Sequence, residues 1–133
     1  MNLVMWLLWL AFLKRTRLTI MTEFTIHAQR GDIKALRLGN PEGMPVLAIH
    51  GWLDNAASFI PMAPFLAEHN IIAIDLLGHG GSAHIPKGYD YSFADWLHDI
   101  LDVMDALEWQ QAHLLGHSLG GALATAVAAG APK

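Results

Sequence analysis

Ala112-His113-Leu114-Leu115-Gly116-His117-Ser118-Leu119-Gly120-Gly121 is the stretch from which the rest of the chain is read. A short apolar strand over residues 112–116 runs into a sharp turn, and a helix of small residues follows over 118–129, so Ser118 stands on a strand-to-helix corner. Gly116-His117-Ser118-Leu119-Gly120 fits the pattern G-x-S-x-G, in which the serine is held in a strained backbone conformation and the flanking glycines leave room for it. One competing motif is excluded. Gly116 and Gly121 have the spacing of a phosphate-binding G-x-x-x-x-G-K-[ST] loop, but Ala122 and Leu123 stand where the lysine and hydroxyl belong.

Working back from the corner, residues 92–107 read as a helix. Ser92 is its cap and Asp95 a capping-box-like partner three residues on. Phe93, Trp96, Leu97, Ile100, Leu101, Met104 and Leu107 recur at helical spacing and form the packing face. Asp95, His98, Asp99, Asp102 and Asp105 fall on the other side, where a solvated face explains them better than a set of metal ligands. Further back, residues 71–75 and 46–50 are apolar runs short enough for buried strands. Between them, 58–68 predicts a short helix with Ser58 near its cap, and Pro61 and Pro64 are tolerable there only in or before its first turn. Residues 24–29 and 34–39 read as a hairpin around Arg30-Gly31-Asp32, an antiparallel edge. Gly78, Gly80 and Ala83 match a dinucleotide fingerprint after a strand, but the chain continues into Ile85-Pro86-Lys87-Gly88, a loop rather than the helix that motif must open.

Hairpin, strand, helix, strand, helix, strand, helix is the order of an α/β fold with a mostly parallel sheet and helices on both faces. Ligands of such sheets gather at the carboxyl ends of the strands. His50-Gly51-Trp52, residues 75–82 and Ser118 converge there, which is the main physical argument for a site. A serine hydroxyl is a weak nucleophile until a base takes its proton, and the oxyanion that then forms needs preorganised N–H donors. The Leu119 N–H, in the first turn of a helix, is one candidate donor. The Trp52 N–H, beside Gly51, is the second.

At these residues the chain resembles the α/β-hydrolase superfamily, through His50-Gly51-Trp52-Leu53-Asp54-Asn55, Asp75-x-x-Gly78-x-Gly80-x-Ser82 and Gly116-His117-Ser118-Leu119-Gly120-Gly121, three motifs in family order. The first looks most like the serine-hydrolase-like branch. The resemblance covers roughly residues 24 to 130 and implies a triad in the order Ser, Asp or Glu, His. Only Ser118 is present, because no Asp, Glu or His follows it. The expectation is therefore the amino-terminal part of a hydrolase acting on an ester or other acyl substrate through Ser118, inactive by itself. A non-catalytic fragment or pseudoenzyme with a binding role is the alternative, and lyase or haloperoxidase-like chemistry on the same elbow is a third. The resemblance further implies that His50 and His117 are structural or pocket-lining and that Asp75 organises its loop. Trp52 is named for its backbone, its ring either lining a pocket or packing. His27, His69, His79, His84 and His113 read as surface, loop or strand-end residues, and the bland reading of Ser118 itself is a helix cap.

Composition bounds these readings. The 133 residues make at most one ordinary domain, where an α/β fold commonly needs roughly 200–250. Hydrophobic residues are 53% and charged ones 15%, which suits strands buried on both faces. There is no cysteine, so disulfides, thiolate nucleophiles and thiolate metal sites are excluded. No cofactor or metal motif survives. From Met21 onward five basic residues face twelve acidic ones, a net −7 without a basic stripe, and nucleic acid is excluded as a partner.

Residues 3–13 are an unbroken apolar run followed by Lys14, Arg15 and Arg17. The run is shorter than the about 20 residues a membrane span requires. It also lacks the leading positive charge and the cleavage site of a secretory signal. Two readings stand: peripheral membrane association of a cytoplasmic chain through residues 3–17, or a start at Met21 that makes 1–20 an upstream extension, the reading preferred. Oligomeric state is not legible.

Overall fold

The computed structural model describes residues 21–130. The apolar run 3–13 and the cations after it, with the readings of membrane association and upstream extension, lie outside these residues. None of the described helices is long and apolar enough to cross a membrane.

Five strands form one sheet: β1 (Met21–Ala28), β2 (Gly31–Gly39), β3 (Pro45–Ile49), β4 (Asn70–Ile74) and β5 (His113–Gly116), in the order β1-β2-β4-β3-β5. The hairpin β1–β2 turns through Gln29 and Arg30, with Ala28 opposite Gly31. It joins β4 antiparallel, and β4, β3 and β5 run parallel. The expected sheet, mostly parallel with an antiparallel edge, is what forms.

Alternation along β3 and β4 splits the core in two. Leu47, Ile49, Ile72 and Ile74 face the helices α1 (Phe93–Ala106) and α2 (Leu119–Gly130), where Trp96, Ile100, Val103, Leu123 and Val127 meet them. Val46, Ala48, Ile71 and Ala73 face a segment over Ala56–Leu66, which contributes Ala56, Phe59 and Ala63. Alanines on both sides of this second layer let backbone approach backbone closely. Both faces are thus covered, as parallel strands require.

Three expectations are corrected. Ala56–Leu66 is a 3-10 helix, not an α-helix, and both prolines lie inside it. Pro61 and Pro64 would each clash with the carbonyl four residues back in α geometry, so the segment winds more tightly. Its cap is Asn55, whose side chain accepts from the Ala57 N–H at 3.0 Å, whereas the Ser58 hydroxyl donates to Asp54.

The face of α1 opposite its packing stripe is not uniformly wet, because Asp99 is fully buried. It lies three residues from Trp96 and one from Ile100, at the margin of the apolar stripe, and Arg30 from the hairpin tip closes over it. The packing face is also narrower than the periodicity suggests. Phe93 and Leu101 are exposed, Leu101 lining an apolar groove of about 830 Å³ with Met104, Trp109, Leu114, Ala124 and Val127. This groove runs beside β5, which among the described residues pairs with β3 alone. Ser92 does cap α1, its hydroxyl accepting from the Asp95 N–H at 3.1 Å.

Candidate active site

Register decides what meets at the carboxyl ends of the parallel strands. Ile49 lies opposite Ile74 on one side and Gly116 on the other, so His50, Asp75 and His117-Ser118 leave the sheet side by side.

The loop after β4 is built on Asp75. Its two carboxyl oxygens accept from the Ala56 N–H at 2.7 Å and the Gly81 N–H at 2.8 Å. The Ser82 hydroxyl donates to the Asp75 carbonyl at 2.6 Å and accepts from the Lys34 N–H at 2.8 Å, tying the loop to β2. Gly80 has φ +50°, and any Cβ there would collide with the Asp75 carboxyl group. Asp75 thus organises its loop. Residues 78–83 stay in turns and the next helix starts at Phe93, so no dinucleotide site forms.

His50 is buried and used up. The Leu76 N–H donates to Nε2 at 3.0 Å, which leaves the proton on Nδ1, 2.6 Å from the Gly51 carbonyl it donates to. Burial holds its pKa below the ordinary 6.5 against the pull of that carbonyl, and neighbouring His79 lowers it further. A neutral imidazole with both nitrogens engaged is a structural part.

At the corner after β5, the His117 N–H donates to the Ile49 carbonyl at 3.1 Å, and the backbone then turns through Ser118 at φ +53°. A helix cap has extended φ and a side chain bonded to the first-turn amides. Ser118 has neither, so the capping reading fails. The turn is tight because β5 and α2 touch. A Cβ on Gly116 would strike the Gly120 backbone, and one on Gly120 would strike the Ile49 carbonyl, so both contacts exclude a side chain. A Cβ on Gly51 would lie 3.3 Å from the Ser118 Cβ, which places the loop after β3 directly against the serine.

Ser118 is exposed, and its hydroxyl has no hydrogen-bond partner among the described residues. The same holds for the backbone N–H groups of Trp52 and Leu119. The three sequence-predicted residues therefore lie on two adjoining loops, each with an unpartnered polar group. Trp52 is 57% exposed, its ring edge-on to His79 and Trp96 at centroid distances of 5.5 and 5.7 Å.

Two features escape sequence reasoning. His79 is not a surface histidine; it is buried among His50, Trp52 and Trp96. Its position between Gly78 and Gly80, in a loop folded back on the sheet, was the available signal. Arg30 reaches the Asp99 carboxyl oxygens at 3.1 and 3.2 Å and Asp95 at 3.7 Å, a pairing across 69 residues that no local pattern announces.

Residues 44–133 match the family model described as alpha/beta hydrolase fold. A serine hydrolase-like protein of Dictyostelium discoideum is 45% identical over 114 residues, 83% of this chain and 32% of that protein. A crystal structure of a hypothetical protein from Pseudomonas aeruginosa PAO1 superposes with a TM-score of 0.79 at 43% identity, covering 83% of this chain and 39% of that one. The thioesterase domain from the curacin biosynthetic pathway gives 0.79 at 36% identity, over 86% of this chain and 41% of its own. The chain spans about a third of the length of the curated relatives it matches first. With the family model covering most of the chain and the strand-end loops built as described, the chain belongs to the alpha/beta hydrolase fold family.

Proposed function

We propose that Ser118 is the nucleophile of a serine hydrolase acting on an ester or other acyl substrate, in a protein that supplies the triad acid and base beyond the residues of this chain. The observation that carries this reading is the left-handed corner at Ser118 beside two unpartnered amides, Trp52 and Leu119. The Ser118 oxygen attacks the acyl carbon while its proton passes to a base. The carbonyl oxygen, now an oxyanion, takes hydrogen bonds from the two amides, and collapse expels the leaving group. The thioesterase domain among the similar structures supports the acyl class.

No Asp, Glu or His follows Ser118 in the sequence, and His50, buried beside the elbow, has both nitrogens committed. A fluorophosphonate probe is therefore expected to leave the 133-residue chain unlabelled. Labelling that disappears in Ser118→Ala would show an activated serine and overturn the inactivity. For the nucleophile itself, the chain is joined in frame to the remaining residues of the Pseudomonas protein. This chimera is expected to label and to lose labelling with Ser118→Ala; labelling that survives the substitution sinks the assignment.

The alternative reading is a fragment or pseudoenzyme that acts by binding. Under it, the chimera stays unlabelled although folded.

A further inference from the structure

We propose that His79 is a positioning residue that holds the Trp52 amide in place for the reacting oxygen. The proposal rests on Trp52 as an oxyanion donor, and it starts from a turn that is expensive to maintain.

The turn over residues 51–54 is closed by a single long hydrogen bond, Asp54 N–H to the Gly51 carbonyl at 3.3 Å. Within it Leu53 sits at φ +56°, a left-handed conformation that is strained for a residue with a Cβ. The Leu53 side chain is 80% exposed, so packing does not compensate. Such a conformation persists only when its surroundings over-determine it. One end is anchored by Asp54, which accepts from the Ser58 hydroxyl at 2.6 Å and the Asn55 N–H at 2.9 Å. Those two donors, the hydroxyl first, hold its carboxyl below the ordinary value.

The other end is Trp52. Its backbone N–H has no partner among the described residues; the other end of its peptide unit, the Gly51 carbonyl, accepts from His50 Nδ1–H and Asp54 N–H, and its ring adds a further hold by meeting His79 and Trp96 edge-on. Both supports hang from one carbonyl: Leu77 accepts from Trp96 Nε1–H at 3.1 Å and from His79 Nδ1–H at 3.3 Å. His79 also packs on His50 at 5.1 Å, linking the loop after β4 to the loop after β3. Its Nε2 is buried without a partner among the described residues, so the ring acts through shape and edge contact, with no second hydrogen bond. A phenyl ring should then do the same work. It loses one long hydrogen bond and removes an unsatisfied buried acceptor.

Three variants test this by NMR of the 133-residue chain and by probe labelling of the chimera described above. In His79→Leu, which fills space without a flat ring, the Trp52 and Leu53 amide resonances are expected to move. The Leu53 HN–Hα coupling should leave its left-handed value, and chimera labelling should slow roughly tenfold, short of the 10²–10³ seen when an oxyanion donor is removed outright. His79→Phe should restore all three readouts and melt at or above the wild-type temperature. Unmoved Trp52 and Leu53 resonances in His79→Leu overturn the proposal, as does equal recovery by Leu and Phe, which would make the site mere filling. His79→Gln repeats the comparison if the Leu variant does not fold. If Ser118 is not the nucleophile, labelling fails while the Trp52 resonances still respond, so the two failures are distinct.

Discussion

The loop after β4 and the corner after β5 leave the sheet on either side of β3 and treat their polar groups in opposite ways. In the first, both Asp75 oxygens and the Ser82 hydroxyl are engaged by backbone, as are both His50 nitrogens on the intervening loop after β3, and His79 Nε2 is the exception. At the second, Ser118 Oγ and the Leu119 N–H have no partner among the described residues, and neither has the Trp52 N–H on the adjoining loop after β3. Serine occurs in both loops, so residue type does not separate them. What separates them is whether the chain has already consumed the hydrogen-bonding capacity. A consumed group is costly to remove because its partner is left buried and unsatisfied, whereas an unconsumed one is cheap to remove and open to a ligand.

The largest test of that contrast is Asp75→Ala. It strands two amide donors, of Ala56 and Gly81, in a region where Ala56 is buried. At about 1–3 kcal/mol for each orphaned group, the loss is about 2–6 kcal/mol, a large share of a small domain's stability. Thermal melting by circular dichroism is expected to show a collapsed or absent transition. A melting curve within a few degrees of wild type would mean the loop is not scaffold, and the contrast with the elbow would dissolve.

Asp99 extends the comparison to a polar group that is engaged but imperfectly compensated. It is buried against Arg30, with Asp95 and Asp102 close by, and Gln29 donates to Asp102 at 3.2 Å. Burial pushes its pKa up to about 6, Arg30 opposing and Asp102 and Asp95 adding to the rise. A carboxyl raised above its unfolded value binds its proton more tightly in the folded state. Its contribution to stability is therefore fully present below about 3.8 and lost as pH rises through about 6. The interval from 3.8 to about 6 corresponds to about 3 kcal/mol at most. Urea melts between pH 4 and 7 should show wild type gaining stability toward acid relative to Asp99→Asn. Parallel pH profiles for the two proteins would remove Asp99 from the set of buried, costly groups.

Much of this was legible because it is local. The β-branched runs of β3 and β4, Ser92 before α1 and the glycines around Ser118 each carry their conformation in a few adjacent residues. The convergence of His50, Asp75 and Ser118 followed from the parallel order alone, since strands that end together deliver their next residues together. What was not legible depends on distant partners. Asp99 reads as one more aspartate on a wet face until Arg30, 69 residues away, covers it. His79 reads as a loop histidine until the loop folds under Trp52. The helix over Ala56–Leu66 was legible but its 3-10 winding was not, since Pro61 and Pro64 were expected in or before the first turn, and the choice of Asn55 over Ser58 as cap depended on Asp54 engaging the Ser58 hydroxyl.

The smallest expected effect lies at Ser118 itself, and it sharpens the contrast most. Its hydroxyl makes no hydrogen bond among the described residues and its side chain is exposed, so Ser118→Ala should change stability by no more than about 0.5 kcal/mol. Ser118→Gly should do slightly better. At φ +53° a residue with a Cβ is strained by about 1–2 kcal/mol, and glycine removes that strain while giving back about 0.5–1 kcal/mol in unfolded-chain entropy. The net gain is up to about 1.5 kcal/mol, read as a small rise in melting temperature. Such a gain would mark a serine that the folded chain does not need for its stability, as the proposed nucleophile requires. If Ser118→Gly instead destabilised the chain by 2 kcal/mol or more, an amount larger than backbone entropy allows, the hydroxyl would be a structural group like that of Ser82, and the elbow would join the scaffold.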